Sequence, residues 1–324
     1  MHANYAIGVD VGGTRIAVGL VDRKGRILRD AKALTPRGGP FAIVDAIIDL
    51  IGEVSCTVQA GEISGIGVGL PAQIDFARQH VEFCTNLPLA GVDVRALVMS
   101  RVKHQVILDN DGNLAAFGES RYGAARTVRH FLMITLGTGV GGGMFIGKEP
   151  YRGFRGLGAE VGHMVVQMDG PPCPCGGNGH IESYLGRPAL AARGRELAKT
   201  YRGAAILEQA GGDPDVLTAE DIVKAALAGD EAATEILMEA GVILGRGLVG
   251  LVNLLNPQMI VVGGGIGEAC PFLIDRAAEI IAAEGLAGKR DVKVVPAELG
   301  NDAGVLGAAA LAFEESDSKE GLSR

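Results

Sequence analysis

One pattern occurs twice in this chain and restricts its architecture more than any other feature. A short apolar run is followed by a turn of glycine and threonine, and then by a second apolar run. The first copy is Tyr5–Asp10, the turn Val11-Gly12-Gly13-Thr14-Arg15, and Ile16–Val21. The second is His130–Leu136, the turn Gly137-Thr138-Gly139 with its following glycines to Gly143, and Met144–Ile146. Each turn joins a strand to a strand. That excludes a Walker loop, whose Gly-Lys-Ser/Thr ending is absent from the chain, and it disfavours a dinucleotide-binding turn at these positions. Backbone amides of such a turn, with a threonine hydroxyl and a basic residue, can wrap phosphates; the plainer alternative is an ordinary hairpin. The copies stand about 125 residues apart and open two halves of similar size. An internal duplication, with two hairpins facing one polyphosphate, accounts for this spacing.

The remaining segments alternate between strand and helix. Apolar residues at Ile43, Val44, Ile47, Ile48 and Ile51 predict a helix over Phe41–Val54. Strands are expected at Ile63–Leu70, Gln105–Asp109, Gln258–Val262 and Val292–Val295. Helices are expected at Gly112–Tyr122, Arg187–Lys199, Ala219–Leu227, Ala232–Leu255 and Pro271–Ala283, with a final one after Asn301–Gly304. This is an α/β chain, and in open α/β sheets ligands lie at the carboxyl ends of strands. Asp10 ends the first strand beside its turn, where a carboxylate can hold hydrated Mg²⁺. Asn110 and Asp111 follow another strand end. Asp111 suits either a helix N-cap or a general base. Gly263-Gly264-Gly265 lacks the G-x-G-x-x-G spacing and suits a turn lying flat under an adenosine.

After the second copy comes Glu160-Val-Gly-His163, then Cys173-Pro-Cys175-Gly-Gly-Asn-Gly-His180-Ile-Glu182. His163, Cys173, Cys175 and His180 could close a tetrahedral zinc site, which would be structural because four protein ligands leave no open position. The alternative is a glycine-rich loop with incidental thiols. A Cys173–Cys175 disulfide across one residue would be badly strained. The other thiols, Cys56, Cys84 and Cys270, are isolated, which fits a reducing cytoplasm. A net charge of −8 and the absence of Trp oppose nucleic-acid binding. The most apolar stretch, Ala240–Leu255, is interrupted by Arg246 and Asn253, so no membrane span is expected, and no leader pattern opens the sequence. Residues from Glu314 onward are polar and read as frayed.

Taken in order, Asp10-Val-Gly-Gly-Thr14, Asn110-Asp111, Leu136-Gly-Thr-Gly139, Glu160-x-Gly-His163, Cys173-x-Cys175 and Gly263-Gly-Gly265 resemble the ROK family of bacterial sugar kinases and repressors. The run from His163 to Tyr184 is most similar to the family's glucokinases. The resemblance implies an actin-like ATPase (ribonuclease H-like) fold, in which two α/β domains flank a cleft. It places a small domain at residues 1–113 plus 303–324 and a large domain, with the zinc loop, at 114–302. It implies transfer of the ATP γ-phosphate to a hexose 6-hydroxyl, with Asp111 as catalytic base. Asn86, Asn110, Asp111, Glu160, His163 and Glu182 would contact the sugar. Gly12, Gly13, Thr14, Arg15, Gly137, Thr138 and Gly139 would hold phosphates, Gly264 and Gly265 the adenosine, and Asp10 the Mg²⁺ through water.

Two departures from the family pattern stand out. His180 replaces the third loop cysteine, leaving a Cys₂His₂ set, and Arg15 stands where lysine is usual. Glucose is the expected acceptor. N-acetylglucosamine, N-acetylmannosamine, mannose, fructose and allose remain open as acceptors, and polyphosphate as donor. A non-catalytic sugar-binding regulator is the reading from another class. The resemblance further implies a homodimer or homotetramer.

Overall fold

The computed structural model describes residues 3–84, 86–286 and 291–322, so the outermost positions of the expected small domain lie outside the described residues. The chain divides into two compact units. The first comprises residues up to Arg129, Gly143–Ala159, and Asn301 onward; the second comprises His130–Gly142 and Glu160–Gly300.

In the first unit the strands β1 (Tyr5–Val11), β2 (Arg15–Asp22), β3 (Ile27–Leu34) and β4 (Ile63–Leu70) precede a small ribbon of β5 (Gln73–Ile74) and β6 (Val81–Phe83). After it comes β7 (Val106–Asn110). The five-stranded sheet has the order β3-β2-β1-β4-β7; β1 to β3 form an antiparallel meander, and β4 and β7 run parallel to β1. The helices are α1 (Pro40–Ser55), α2 (Val94–Met99), α3 (Asp111–Arg121) and, from the far end of the chain, α11 (Ala303–Leu322). In the second unit and the return from it, β8 (Phe131–Leu136), β9 (Val140–Ile146), β10 (Glu149–Pro150), β11 (Met259–Gly263) and β12 (Lys293–Pro296) form a sheet of order β10-β9-β8-β11-β12. Strand for strand, this repeats the first sheet, as the duplicated hairpins predict. The helices here are α4 (Glu182–Leu185), α5 (Arg187–Ala198), α6 (Ala204–Gln209), α7 (Ala219–Leu227), α8 (Glu231–Leu255), α9 (Gly264–Ala269) and α10 (Pro271–Glu284). Among the described residues no helix is long and apolar enough to cross a membrane.

The sequence of β4, Gly65-Ile66-Gly67-Val68-Gly69, shows how the first unit is layered. Alternate residues of a strand point to opposite faces. Ile66 and Val68 join Ile7, Val9 and the apolar face of α1 in one core. Gly67 and Gly8 face α11 instead. A Cβ at Gly67 would lie 2.0 Å from the Ala308 carbonyl oxygen, and one at Gly8 1.9 Å from that of Val305. Helix backbone thus lies directly on sheet backbone. On its other side α11 meets α3, where a Cβ at Gly307 would sit 1.7 Å from the Leu114 oxygen.

That packing explains where the units divide. A boundary at residue 113 would cut α3 within its first turn, yet α3 lies along α11, so the first unit continues to Arg129. The segment Gly143–Ala159 also belongs to this unit, because its Arg152 pairs with Asp109 at the end of β7. Among the described residues the expected fraying after Glu314 is not observed; the last two positions of that stretch lie outside them. α11 continues to Leu322, with Glu314 bonded to Arg121 at 2.7 Å and Asp317 accepting both terminal nitrogens of Arg23 at 2.9 Å. β3 was not expected; its alternating charges, Arg29, Asp30 and Lys32, mask a strand at the sheet edge.

Gly67→Ala is expected to lower unfolding free energy by about 1–3 kcal/mol through overpacking against α11. Gly13→Ala, whose added Cβ meets open space, should stay within about 0.5 kcal/mol of wild type. Urea denaturation of both variants checks the contrast.

Candidate active-site elements

In the first unit, β7 ends on Asp109-Asn110 and α3 starts at Asp111. The Asn110 side-chain oxygen accepts from the amides of Gly112 at 2.9 Å and Asn113 at 3.2 Å, and its amide nitrogen donates to the Ala72 oxygen at 3.2 Å. The helix cap is therefore Asn110 rather than Asp111, the alternative left open for Asp111. Asp111 occupies the first helical position, where its Oδ1 accepts from the Gly112 amide at 2.8 Å. The positive end of the helix favours a charged carboxylate there. Behind it Asp109 is buried and fully engaged. It receives Arg152 Nε at 2.8 Å, Asn113 Nδ2 at 3.0 Å and the Asn110 amide at 2.9 Å.

Asp10 stands at the end of β1, half-buried. A Cβ at Gly304, in the first turn of α11, would come within 2.7 Å of its carboxyl. Burial pushes Asp10 up to about 6, against the pull of Arg15. Its two oxygens have no hydrogen-bond donor among the described residues. An acceptor-only group without donors fits a hydrated divalent cation. The adjacent turn is closed by the Gly12 amide donating to the Arg15 oxygen at 2.8 Å. Thr35 takes the turn's carbonyls: its Oγ1 donates to Gly12 O at 2.7 Å and its amide to Thr14 O at 2.9 Å. Gly13, Thr14 and Arg15 are left exposed, and Asn86 is exposed on a loop of the same unit.

In the second unit, the turn between β8 and β9 is closed by Gly137 N to Gly139 O at 3.0 Å, and Thr138 is exposed at its tip. Glu182 underlies it. Its Oε2 accepts from the Val140 amide at 2.9 Å, and a Cβ at Gly139 would fall 2.2 Å from that oxygen. The other oxygen, Oε1, lies 3.9 Å from Cys173 Sγ. Gly264 rests on the same turn, with its Cβ position 2.4 Å from the Leu136 oxygen. The glycine turn after β11 leads at once into α9, which begins at Gly264, earlier than the expected helix start at Pro271. Arg187, at the start of α5, donates its amide to Gly137 O at 3.1 Å and carries its Nη2 beside Gly265, 2.8 Å from that residue's Cβ position. Arg187 therefore touches both glycine turns, one through its backbone amide and the other through its guanidinium, a role nothing in its local sequence announces.

His163, Cys173, Cys175 and His180 converge, with their candidate ligand atoms all within 4.8 Å of one another. Cys173 Sγ is 3.7 Å from His163 Nδ1, and Cys175 Sγ is 3.3 Å from His180 Nδ1. Zinc–sulfur and zinc–nitrogen bonds of about 2.3 and 2.0 Å give a tetrahedral edge of about 3.6 Å. The four side chains therefore fit zinc. The loop is folded by two isolated bridges, Val165 to His180 and Pro172 to Asn178. Gly179, at φ 66°, has no room for a side chain, since a Cβ would overlap the Gln167 oxygen at 1.6 Å. Glu160 opens the short turn that carries His163.

The ROK family model matches residues 6–315. The chain belongs to the ROK family. It is 37% identical over 312 residues to a glucokinase of Streptomyces coelicolor, covering 95% of this chain and 97% of that protein. It is 34% identical over 313 residues to a glucokinase of Thermotoga maritima, with the same coverage. Among solved structures, a ROK family glucokinase from Streptomyces griseus in complex with glucose and AMPPNP superposes with a TM-score of 0.88 at 35% identity, over 96% of this chain and 99% of that one. The fold is the actin-like ATPase fold of ROK sugar kinases, in agreement with the paired sheets.

The raised Asp10 carboxyl has a signed consequence. A folded-state value near 6, above the unfolded one, penalises folding at higher pH, and the penalty fades as pH falls toward the unfolded value of 3.8. Asp10→Asn is therefore expected to raise the melting temperature at pH 8 and to lose that advantage near pH 4. Paired thermal melts at the two pH values check it.

Proposed function

We propose that this chain is an ATP-dependent hexose kinase that phosphorylates the 6-hydroxyl of glucose. The observation that carries the reading is the first turn of α3. Asn110 caps the helix, so the carboxylate of Asp111 is not needed to end it. It stands at a strand's carboxyl end, in a chain that matches kinases along almost its whole length.

In this reading Asp111 accepts the proton of the 6-hydroxyl as that oxygen attacks the γ-phosphorus in line. The bond to the bridging oxygen breaks with its electron pair, and ADP departs. Phosphoryl transfer depends chiefly on positioning and charge neutralisation, so the base contributes a few powers of ten. Asn86, Asn110, Glu160, His163 and Glu182 orient the sugar hydroxyls. The turns at Gly12–Arg15 and Gly137–Gly139 hold the phosphates, and Gly264, Gly265 and Arg187 bound the adenosine. Mg²⁺, when bound, neutralises phosphate charge, and Asp10 would hold it through water. Zinc would be held by His163, Cys173, Cys175 and His180, bracing the loop that presents Glu160 and Glu182. The Oε2 of Glu182 is already bonded to the Val140 amide, which leaves its second oxygen for a sugar hydroxyl. Assembly into a homodimer or homotetramer belongs to the same reading.

With ATP and a panel of eight sugars, glucose should give the highest kcat/KM; a clear preference for another hexose replaces the acceptor but not the reaction. Asp111→Ala should lower kcat by at least about a hundredfold and shift the glucose Kd by less than about tenfold. Turnover within tenfold of wild type would remove Asp111 from its role.

Purified active protein should contain close to one equivalent of zinc. Cys173→Ser together with Cys175→Ser should lose the metal and lower the melting temperature. Less than a tenth of an equivalent in active wild-type protein would remove the site.

A further inference from the structure

The first unit carries a half-open cavity of about 400 Å³ that none of the roles above uses. Its walls are the edge strand β7 at Val106 and Ile107, the C-terminal half of α11, and the turn that follows β5. Three cations line it, Arg78, Arg95 and Lys319, against one carboxylate, Glu315. Glu315 is shared, with Arg78 Nη2 at 3.2 Å and Lys319 Nζ at 3.5 Å. The neighbouring Glu314 is taken by Arg121. Arg95 spends its Nε on the Val106 oxygen at 2.8 Å, and its two terminal nitrogens have no partner among the described residues. The cavity therefore carries a surplus of two positive charges in a chain whose net charge is −8.

Arg78 is held in place at some conformational cost. Its φ of 56° is left-handed, which is unfavourable for a side chain of this kind. Its amide donates to Asp75 O at 2.8 Å, while the Asp75 carboxylate takes the amides of Gln79 at 2.7 Å and His80 at 2.9 Å. The turn thus fixes Arg78 and Gln79 in the cavity wall. Burial, together with nearby Arg152, holds the Arg78 guanidinium below its usual range, so an anion beside it would offset both effects. Two surplus charges match a dianion, and the planar forks of two arginines match phosphate oxygens better than a single carboxylate. The hydroxyl of Ser316, the Gln79 amide and the apolar β7 wall can receive a small organic group.

We propose that this cavity binds a small phosphate monoester, with its phosphate drawn to Arg78, Arg95 and Lys319 and its organic part against Gln79, Ser316 and β7. The bound charge beside Arg78 is then felt by the Arg152–Asp109 pair, which holds the strand that ends at Asn110, next to Asp111.

Titration calorimetry on the full chain with glycerol 3-phosphate, inorganic phosphate and glycerol tests it. Glycerol 3-phosphate should bind with a Kd below about 1 mM, inorganic phosphate more weakly, and glycerol not at all. Arg95→Gln should weaken binding tenfold or more, and Lys319→Gln, at an exposed position, should weaken it with no effect on folding. Glu315→Gln should tighten binding severalfold, because it releases Arg78 and Lys319 from their shared carboxylate. Thr14→Ala combined with Thr138→Ala, which alters both glycine turns, should leave the Kd unchanged, which separates this site from the phosphate turns and makes the result independent of the kinase reading. A wild-type Kd above about 10 mM, an unaltered Kd in Arg95→Gln, or weaker binding in Glu315→Gln would overturn the proposal.

Discussion

The contact between α11 and the glycine face of the first sheet is the constraint on which this unit rests. At Gly8 and Gly67 the helix backbone lies where side chains would otherwise stand. At Gly307 it lies equally close to α3. Such close approach is possible only where Cβ atoms are missing from one partner. The opposite face of the same strands is filled with branched side chains against α1. A single alternating sequence, Gly65-Ile-Gly-Val-Gly69, thus sets both a thick core and a thin one, and the thin one brings the ends of β1, β7, α3 and α11 to the same level.

Chemistry gathers where the thin layer ends. The first turn of α11 presses on Asp10, and desolvation makes that carboxylate costly to ionise. Two strands across the same sheet, Asp109 is satisfied from three directions, so that Asp111 can be placed with little freedom. In the second unit Glu182 joins two motifs that the sequence shows separately. It follows the Cys/His loop, underlies the glycine turn through Val140, and lies within reach of Cys173. Metal ligation in that loop and the shape of the turn are therefore mechanically linked through one side chain.

Much of this was legible in the sequence because it is local. The repeated hairpins, the periodicity of α1, and the spacing of Cys173, Cys175 and His180 depend on neighbours in the chain. The hairpins gave the paired sheets, the periodicity gave α1, and the Cys/His spacing gave the one cluster of metal-ligating side chains found among the described residues. What could not be read is what depends on distant partners. Arg152 looks like an ordinary loop arginine until Asp109 is seen beside it, and Thr35 gives no hint that it closes the turn at Gly12. Arg187 lies outside every motif and reaches the glycine turns only through the fold. The polar sequence after Glu314 suggested disorder, because its ion-pair partners, Arg23, Arg78 and Arg121, all lie in the first part of the chain. The N-cap of α3 fell one residue earlier than Asp111 because asparagine, at a position with extended backbone, reaches two amides at once.

The position of α11 also sets an order of events during synthesis. Strands β1 to β7 leave the ribosome first, but the helix that covers their glycine face is translated only after the entire second unit. Until then the most backbone-rich surface of the first sheet has no cover, and a nascent chain of nearly full length still holds an unfinished N-terminal half. Domains usually mature from the N-terminus onward. Here the earliest-made unit is the last to close, so a chain that stalls late in translation should be as vulnerable to chaperone capture or proteolysis as one that stalls early.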